Sequence, residues 1–250
     1  MKFFDPKQKK EPEAFRTWKR QELSQLIALC KKGKGRALFE HLNPSPPRQR
    51  EEGICYFSKQ ELVEALLEEQ GFLCCYCNRS FDLQAEIEAQ AEFPVEIEHL
   101  APVKNYPERA LDYTNLMASC NGGRMGRGNL SSEEKRKREK DLTCNAARES
   151  NPLQMTPQQR DCEMRIIYGE NGAVFGADEE ASATIDLLNL KKFDRSRGKI
   201  LEGWIYTNTH HLIGKTEAEQ ILQKLHQKQN GKYVAYCSAI IQVIQREILQ

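Results

Sequence analysis

Residues 72–81 read FLCCYCNRSF, and within them Cys74 and Cys77 stand with two residues between them. At that spacing two thiolates can bind one tetrahedral Zn²⁺ without straining the backbone. A thioredoxin-like redox pair needs a preceding strand in a βαβ pattern. Here the preceding stretch is LVEALLEEQ (62–70), with a Ser58/Glu61 capping box before it and Gly71 after it, so a helix is expected over about 59–70. Zinc needs two more thiolates. Cys120 and Cys144 are the best candidates, because each lies beside a glycine-rich or helix-start segment. A Cys₄ zinc closed by ligands so far apart in sequence would pin two distant loops of a small domain. Cys75, Cys30, Cys55, Cys162 and Cys237 read as small buried residues.

Working outward, the chain has 250 residues, room for one large domain or two modest ones. With 39% hydrophobic and 29% charged residues, disorder of the whole chain is excluded. No apolar run reaches the ~18 residues that span a bilayer, and MKFFDPKQKK has no signal-type apolar region. A soluble, cytoplasmic protein with no membrane partner is expected, and its nine cysteines should stay reduced unless a metal binds them. The net charge of +1 hides a segregation. Residues 1–50 carry thirteen Lys/Arg against five Asp/Glu, residues 51–100 two against twelve, and residues 101–150 ten against seven. A basic first segment suits a polyanion, and an acidic one repels it, binds a cation or docks a basic partner.

An amphipathic helix is expected from residue 11 to about 32, with Phe15, Trp18, Leu23, Leu26, Ile27 and Cys30 on one face. KKGKGR (31–36) and NPSPPRQREEG (43–53) follow, the latter reading as a linker. VEIEHL (95–100) reads as a strand after Pro94, residues 101–114 as loop, and SSEEKRKREK (131–140) as a solvated helix in an insertion. MRIIYGENGAVF (164–175) has two β-rich runs around Glu-Asn-Gly, the mark of a hairpin. Helices are expected at about 180–190, 194–206, 216–229 and 233–249. The fold class is therefore α+β, predominantly helical. It divides into a basic N-terminal helical region and linker (1–50), a zinc-stapled module (51–160), and a β-hairpin with C-terminal helices (161–250).

Between the cysteine pairs lie VEIEHLAP, LDYTNLMASC and TCNAARES. Their order resembles the HNH nuclease family: Cys74/Cys77, Glu98-His99 with Pro102, Asn115-Leu116, Cys120, then Cys144-Asn145 with Arg148. The likeness covers residues 70–150 and is specific because six elements occur in order. Arg148 stands where lysine is commoner, and about two dozen residues separate Cys120 from Cys144 where many members have a few. Asn121 with Arg124 is a competing pairing, but Asn121-Gly122-Gly123 reads as a turn. With LLEEQGFLCCYC (66–77), NPLQMTP (151–157), the Cys162-Glu-x-Arg-x-x-Tyr168 hairpin and LLNL (187–190), the longer pattern is similar to the PtuB-like HNH proteins of Septu and retron-associated antiphage defence.

The resemblance implies a zinc-stapled ββα-metal module with flanking helices, and a metal-dependent endonuclease that hydrolyses phosphodiester bonds, DNA favoured. In this reading His99 is the base, since imidazole titrates near pH 6.5. Glu98 and Asn145 offer oxygen to a catalytic Mg²⁺ or Mn²⁺, Arg148 contacts the phosphate, and Asn115 holds the loop that orients the histidine. KKGKGR and KRKR (135–138) are candidate nucleic-acid contacts. The resemblance also implies an ABC/SMC-type ATPase partner, in an oligomeric complex; no GxxxxGK[ST] occurs in this chain, so any nucleotide control is expected to come from another one. The apolar C-terminal helices, Ile241 and Ile244 included, are either core or the surface that docks it. Alternatives are a toxin-like ribonuclease cutting host RNA and a zinc-knuckle module that binds and does not cut.

Overall fold

The computed structural model describes residues 1–20, 59–81, 95–123 and 131–250. Among the described residues the chain is α+β, with helices predominating over two small two-stranded sheets. Helix α1 (Lys59–Glu69) leads into the Cys74–Cys77 turn. Strands β1 (Val95–His99) and β2 (Leu116–Cys120) pair antiparallel, with Glu98 opposite Met117 and His99 opposite Leu116. They are followed by α2 (Ser132–Arg138) and by α3 (Cys144–Arg148), which packs on β2. A short α4 (Cys162–Arg165) feeds the hairpin β3 (Ile166–Tyr168) and β4 (Val174–Gly176). Four longer helices close the chain: α5 (Glu179–Leu187), α6 (Asp194–Ile205), α7 (Lys215–Leu225) and α8 (Cys237–Glu247).

The helix boundaries lie within a few residues of those the periodicity predicts, except that α7 ends at Leu225 rather than near 229 and α8 starts at Cys237 rather than near Tyr233. Ser131 and Glu134 form a reciprocal capping box on α2, whose Arg136, Lys137 and Arg138 are exposed. That is the solvated helix read from its composition. Strand β2 is absent from the sequence reading. All five of its residues are buried, so LMASC carries no alternation to betray it. The linker at 43–53, KKGKGR, Ser58, Cys30, Cys55, Pro94 and the rest of the first helix beyond residue 20 lie outside the described residues.

Residues 1–20, the described part of the basic N-terminal region, pack on the rest of the structure. Met1, Phe15 and Trp18 belong to the same apolar cluster as Leu66, Leu116 and Ile244, and Phe15 stacks on Trp18 and tilts against Tyr113. Lys9 donates to the Leu116 carbonyl (2.8 Å) and Lys19 to that of Leu111 (3.2 Å), which ties the segment to the β1–β2 unit. Of the two alternatives for the apolar C-terminal helices, core is the one that α8 shows. Ile240, Val243 and Ile244 are fully buried, Ile241 packs against the same cluster, and α8 lies on α6, α7 and β3. Its apolar residues fill the space between hairpin and helices. Among the described residues, no helix is long and apolar enough to cross a membrane.

Substituting Ile244→Ala should therefore cost about 2–5 kcal/mol, the usual penalty for an emptied core site. Ile244→Glu, which buries an unpaired charge, should abolish cooperative unfolding. Urea denaturation checks both; a Glu variant that melts like the wild type would return α8 to the surface.

Candidate metal centre and the histidine loop

Two residues beyond α1 stands Gly71 (φ +59°), where a Cβ would meet the Tyr233 ring at 2.4 Å. The chain reverses and closes a turn through a bridge between Leu73 and Ser80. Within it the Cys74 N–H donates to the Arg79 carbonyl (2.9 Å) and the Asn78 N–H to the Cys74 carbonyl (3.1 Å), with Asn78 left-handed at φ +60°. Buried Gln70 fixes this turn to β2. Its amide nitrogen donates to the carbonyls of Leu73 (2.8 Å) and Ala118 (2.9 Å), and its oxygen accepts from the Ala118 N–H (2.7 Å). Cys120, at the end of β2, thereby comes over the turn, and its N–H points at Cys74 Sγ (3.4 Å).

The fourth thiol arrives by a close backbone contact. After β2 the chain turns at Asn121, whose side-chain oxygen accepts from the Gly123 N–H (3.1 Å). Gly122 (φ +60°) accepts from the Thr143 N–H (3.0 Å), and a Cβ there would stand 2.0 Å from the Thr143 carbonyl oxygen. Only glycine satisfies both the dihedral and the approach. Cys144 is the next residue.

The four Sγ atoms of Cys74, Cys77, Cys120 and Cys144 lie within 4.8 Å of one another, all buried, and the Cys74–Cys144 separation is 3.9 Å. Tetrahedral Zn–S bonds of about 2.3 Å place sulfurs about 3.8 Å apart, so this donor set suits zinc. Burial pushes the Cys77 and Cys144 thiols well above their ordinary range. Cys74 is also opposed by burial, yet falls well below its range because Cys120, Cys144, Cys75 and Cys77 bond to it. A divalent cation is what would hold all four as thiolates. Cys75, Cys162 and Cys237 are buried, as expected for small core residues.

His99 ends β1 and opens a loop that returns at Asn115. Its Nε2 lies 3.0 Å from the Ala110 carbonyl, which can only accept, so Nε2 carries the proton and Nδ1 the lone pair. Burial lowers its pKa to about 4; the Ala110 bond opposes that shift and the Arg148 charge adds to it. The imidazole is neutral at pH 7. Asn115 grips the loop from beneath: its oxygen accepts from the Ala101 N–H (2.7 Å), and its amide donates to the carbonyls of Ala101 and Arg109 (both 3.1 Å).

Glu98 and Arg148 are not where an ion ligand and a phosphate contact would stand. Glu98 is buried, and its Oε1 accepts from Tyr76 Oη (2.6 Å) and from the guanidinium of Arg148. Burial pushes the Glu98 carboxyl up to about 7, against the opposing pull of Arg148 and Tyr76. The Arg148 side chain is wholly buried, so it faces no substrate. Asn145 instead donates to Glu96 Oε2 (2.7 Å). Glu96 was missed by sequence reasoning although it lies two residues before Glu98, on the same face of the strand. Tyr76, inside the Cys-x-x-Cys turn, and Gln70 were missed because nothing local marks them. His210 and His211 are exposed.

No protein-family model matches the chain, and no curated protein matches it.

Gly122→Ala should part Cys120 from Cys144, because the Thr143 carbonyl must retreat by more than 1 Å to a contact of ordinary length. The expected result is loss of bound zinc and of cooperative melting, with Gly203→Ala, whose Cβ meets nothing within 4 Å, as the control. Elemental analysis with a melting curve reads both.

Proposed function

We propose that the β1–β2–α3 unit with its cysteine cluster is a zinc-stapled module of the HNH type, and that the protein hydrolyses phosphodiester bonds in nucleic acid, DNA favoured. One observation carries this reading: His99 donates from Nε2 to the Ala110 carbonyl in a loop that Asn115 grips at Ala101 and Arg109, and its strand pairs with the one that ends in Cys120 of the four-thiol cluster. In the reaction Nδ1 takes a proton from water as the oxygen bonds to phosphorus; the P–O ester bond breaks, and the departing oxygen is protonated by solvent. A base this weak is helped by the substrate, since a phosphate beside the ring favours imidazolium.

Mg²⁺ or Mn²⁺, as the resemblance implies, would neutralise charge on the phosphate and the departing oxygen. Glu96 and Asn145 are the oxygen-bearing pair that the surface offers it, and Glu98 does not fit, being bonded to Arg148 and Tyr76. The service this enzyme would perform is that of effector in a Septu-like antiphage system, with an ABC/SMC-type ATPase as its partner. That partner would not dock on α8, which is core. A second reading is supported by the capture of Glu98: a zinc module that grips nucleic acid without cutting it.

His99→Ala should lower cleavage by ~10²–10⁴-fold, the usual contribution of a general base, while zinc content and melting stay at wild-type values. The assay takes plasmid, single-stranded DNA and total tRNA with Mg²⁺ or Mn²⁺, with and without the ATPase. Equal cleavage by the variant would end the HNH reading in favour of the binding module, and cleavage confined to tRNA would move the substrate to RNA.

A further inference from the structure

The guanidinium of Arg148 has five N–H donors, and the structure gives each an acceptor. Nε donates to the Asn151 carbonyl (2.8 Å). One terminal nitrogen donates to Tyr76 Oη (2.6 Å) and to Glu98 Oε1. The other donates to the carbonyls of His99 (3.1 Å) and Leu100 (2.8 Å). Arg148 sits one turn along α3 from Cys144, so this side chain joins the helix that starts at the cysteine cluster to the end of β1, where the histidine loop begins.

We propose that Arg148, braced by Glu98 and Tyr76, is the positioning residue of His99, acting through the His99 and Leu100 carbonyls and touching no substrate. Naming His99 as the reacting base rests on the phosphodiesterase reading; the latch itself does not. The loop has two grips. Asn115 fixes Ala101 and Arg109 on the far side, and its backbone carbonyl accepts from the Leu100 N–H (3.0 Å). Arg148 fixes the strand side. Between them, the ring reaches the Ala110 carbonyl. Removing the guanidinium takes a donor from each of the His99 and Leu100 carbonyls, and the turn is no longer held there. The cysteine cluster does not depend on it, because the Gln70 bonds to Leu73 and Ala118 and the Gly122–Thr143 contact bring the thiols together. Lysine has three donors and no fork, so it cannot replace this arginine.

Removing Arg148 alone leaves the buried Glu98 carboxyl and Tyr76 hydroxyl without their partner and can unfold the chain. The test therefore uses the apolar triple variant Tyr76→Phe, Glu98→Leu, Arg148→Met, studied as the full chain. Three quantities are read: zinc by elemental analysis, the ¹⁵N spectrum of the His99 ring, and cleavage kinetics. The expected triple variant keeps its zinc and loses the single neutral Nε2–H form of the ring. Its kcat falls by about 10²-fold, the scale of a misplaced reacting group, with KM within about twofold. A wild-type ring spectrum, loss of zinc, or a raised KM at unchanged kcat would each overturn the proposal, as no effect, a scaffold role or a substrate contact respectively. If the wild type cleaves nothing yet the ring spectrum changes, the latch stands and the phosphodiesterase reading falls.

Discussion

Four thiols from three separate segments meet within 4.8 Å, and the rest of the β1–β2–α3 unit is arranged around that meeting. Cys74 and Cys77 share a turn, Cys120 ends a strand, and Cys144 begins a helix. Each segment is short, and a two-stranded sheet is marginal on its own. What holds them is specific: Gln70 bonded to both the turn and β2, and Gly122 pressed against Thr143 so closely that no side chain fits. The metal suited to this site would convert those local contacts into one cooperative unit, since ligands that far apart are otherwise joined only by weak packing.

The same convergence fixes the surface chemistry. Because α3 begins at a cluster cysteine, its next residues have set places: Asn145 against Glu96, and Arg148 in the interior against Glu98, Tyr76 and the backbone of His99. Nearly every polar group around His99 has a named partner, which is what separates a histidine held in one tautomer from one at the end of an ordinary strand. A buried ion pair adds little net stability against an apolar replacement. Its value at this place is geometric.

Much of this was legible in the sequence, for reasons that differ by element. The Cys-x-x-Cys spacing and the two distant cysteines were readable because metal ligation imposes its own pattern, and the C-terminal helices because their apolar residues repeat at helical intervals. Asn115 was placed as loop support by the resemblance. Arg148 was misread because a sequence shows a charge and not its burial; the acceptors that consume it include three main-chain carbonyls that leave no mark in the side-chain order. Glu98 and Glu96 share a strand face, so the pattern could not say which of them would be captured by the arginine. Strand β2 was invisible because burial on both faces removes alternation. The apolar face of α8 was readable but its cover was not, since the hairpin and helices that bury it come from other parts of the chain.

X-ray absorption at the zinc edge on the purified protein tests the central claim most directly, because it reads the ligand atoms themselves. One zinc per chain with four sulfur neighbours at about 2.3 Å is the expected result. A first shell containing nitrogen or oxygen, or no bound zinc at all, would contradict the four-thiol closure on which the placement of His99, Asn145 and Arg148 depends.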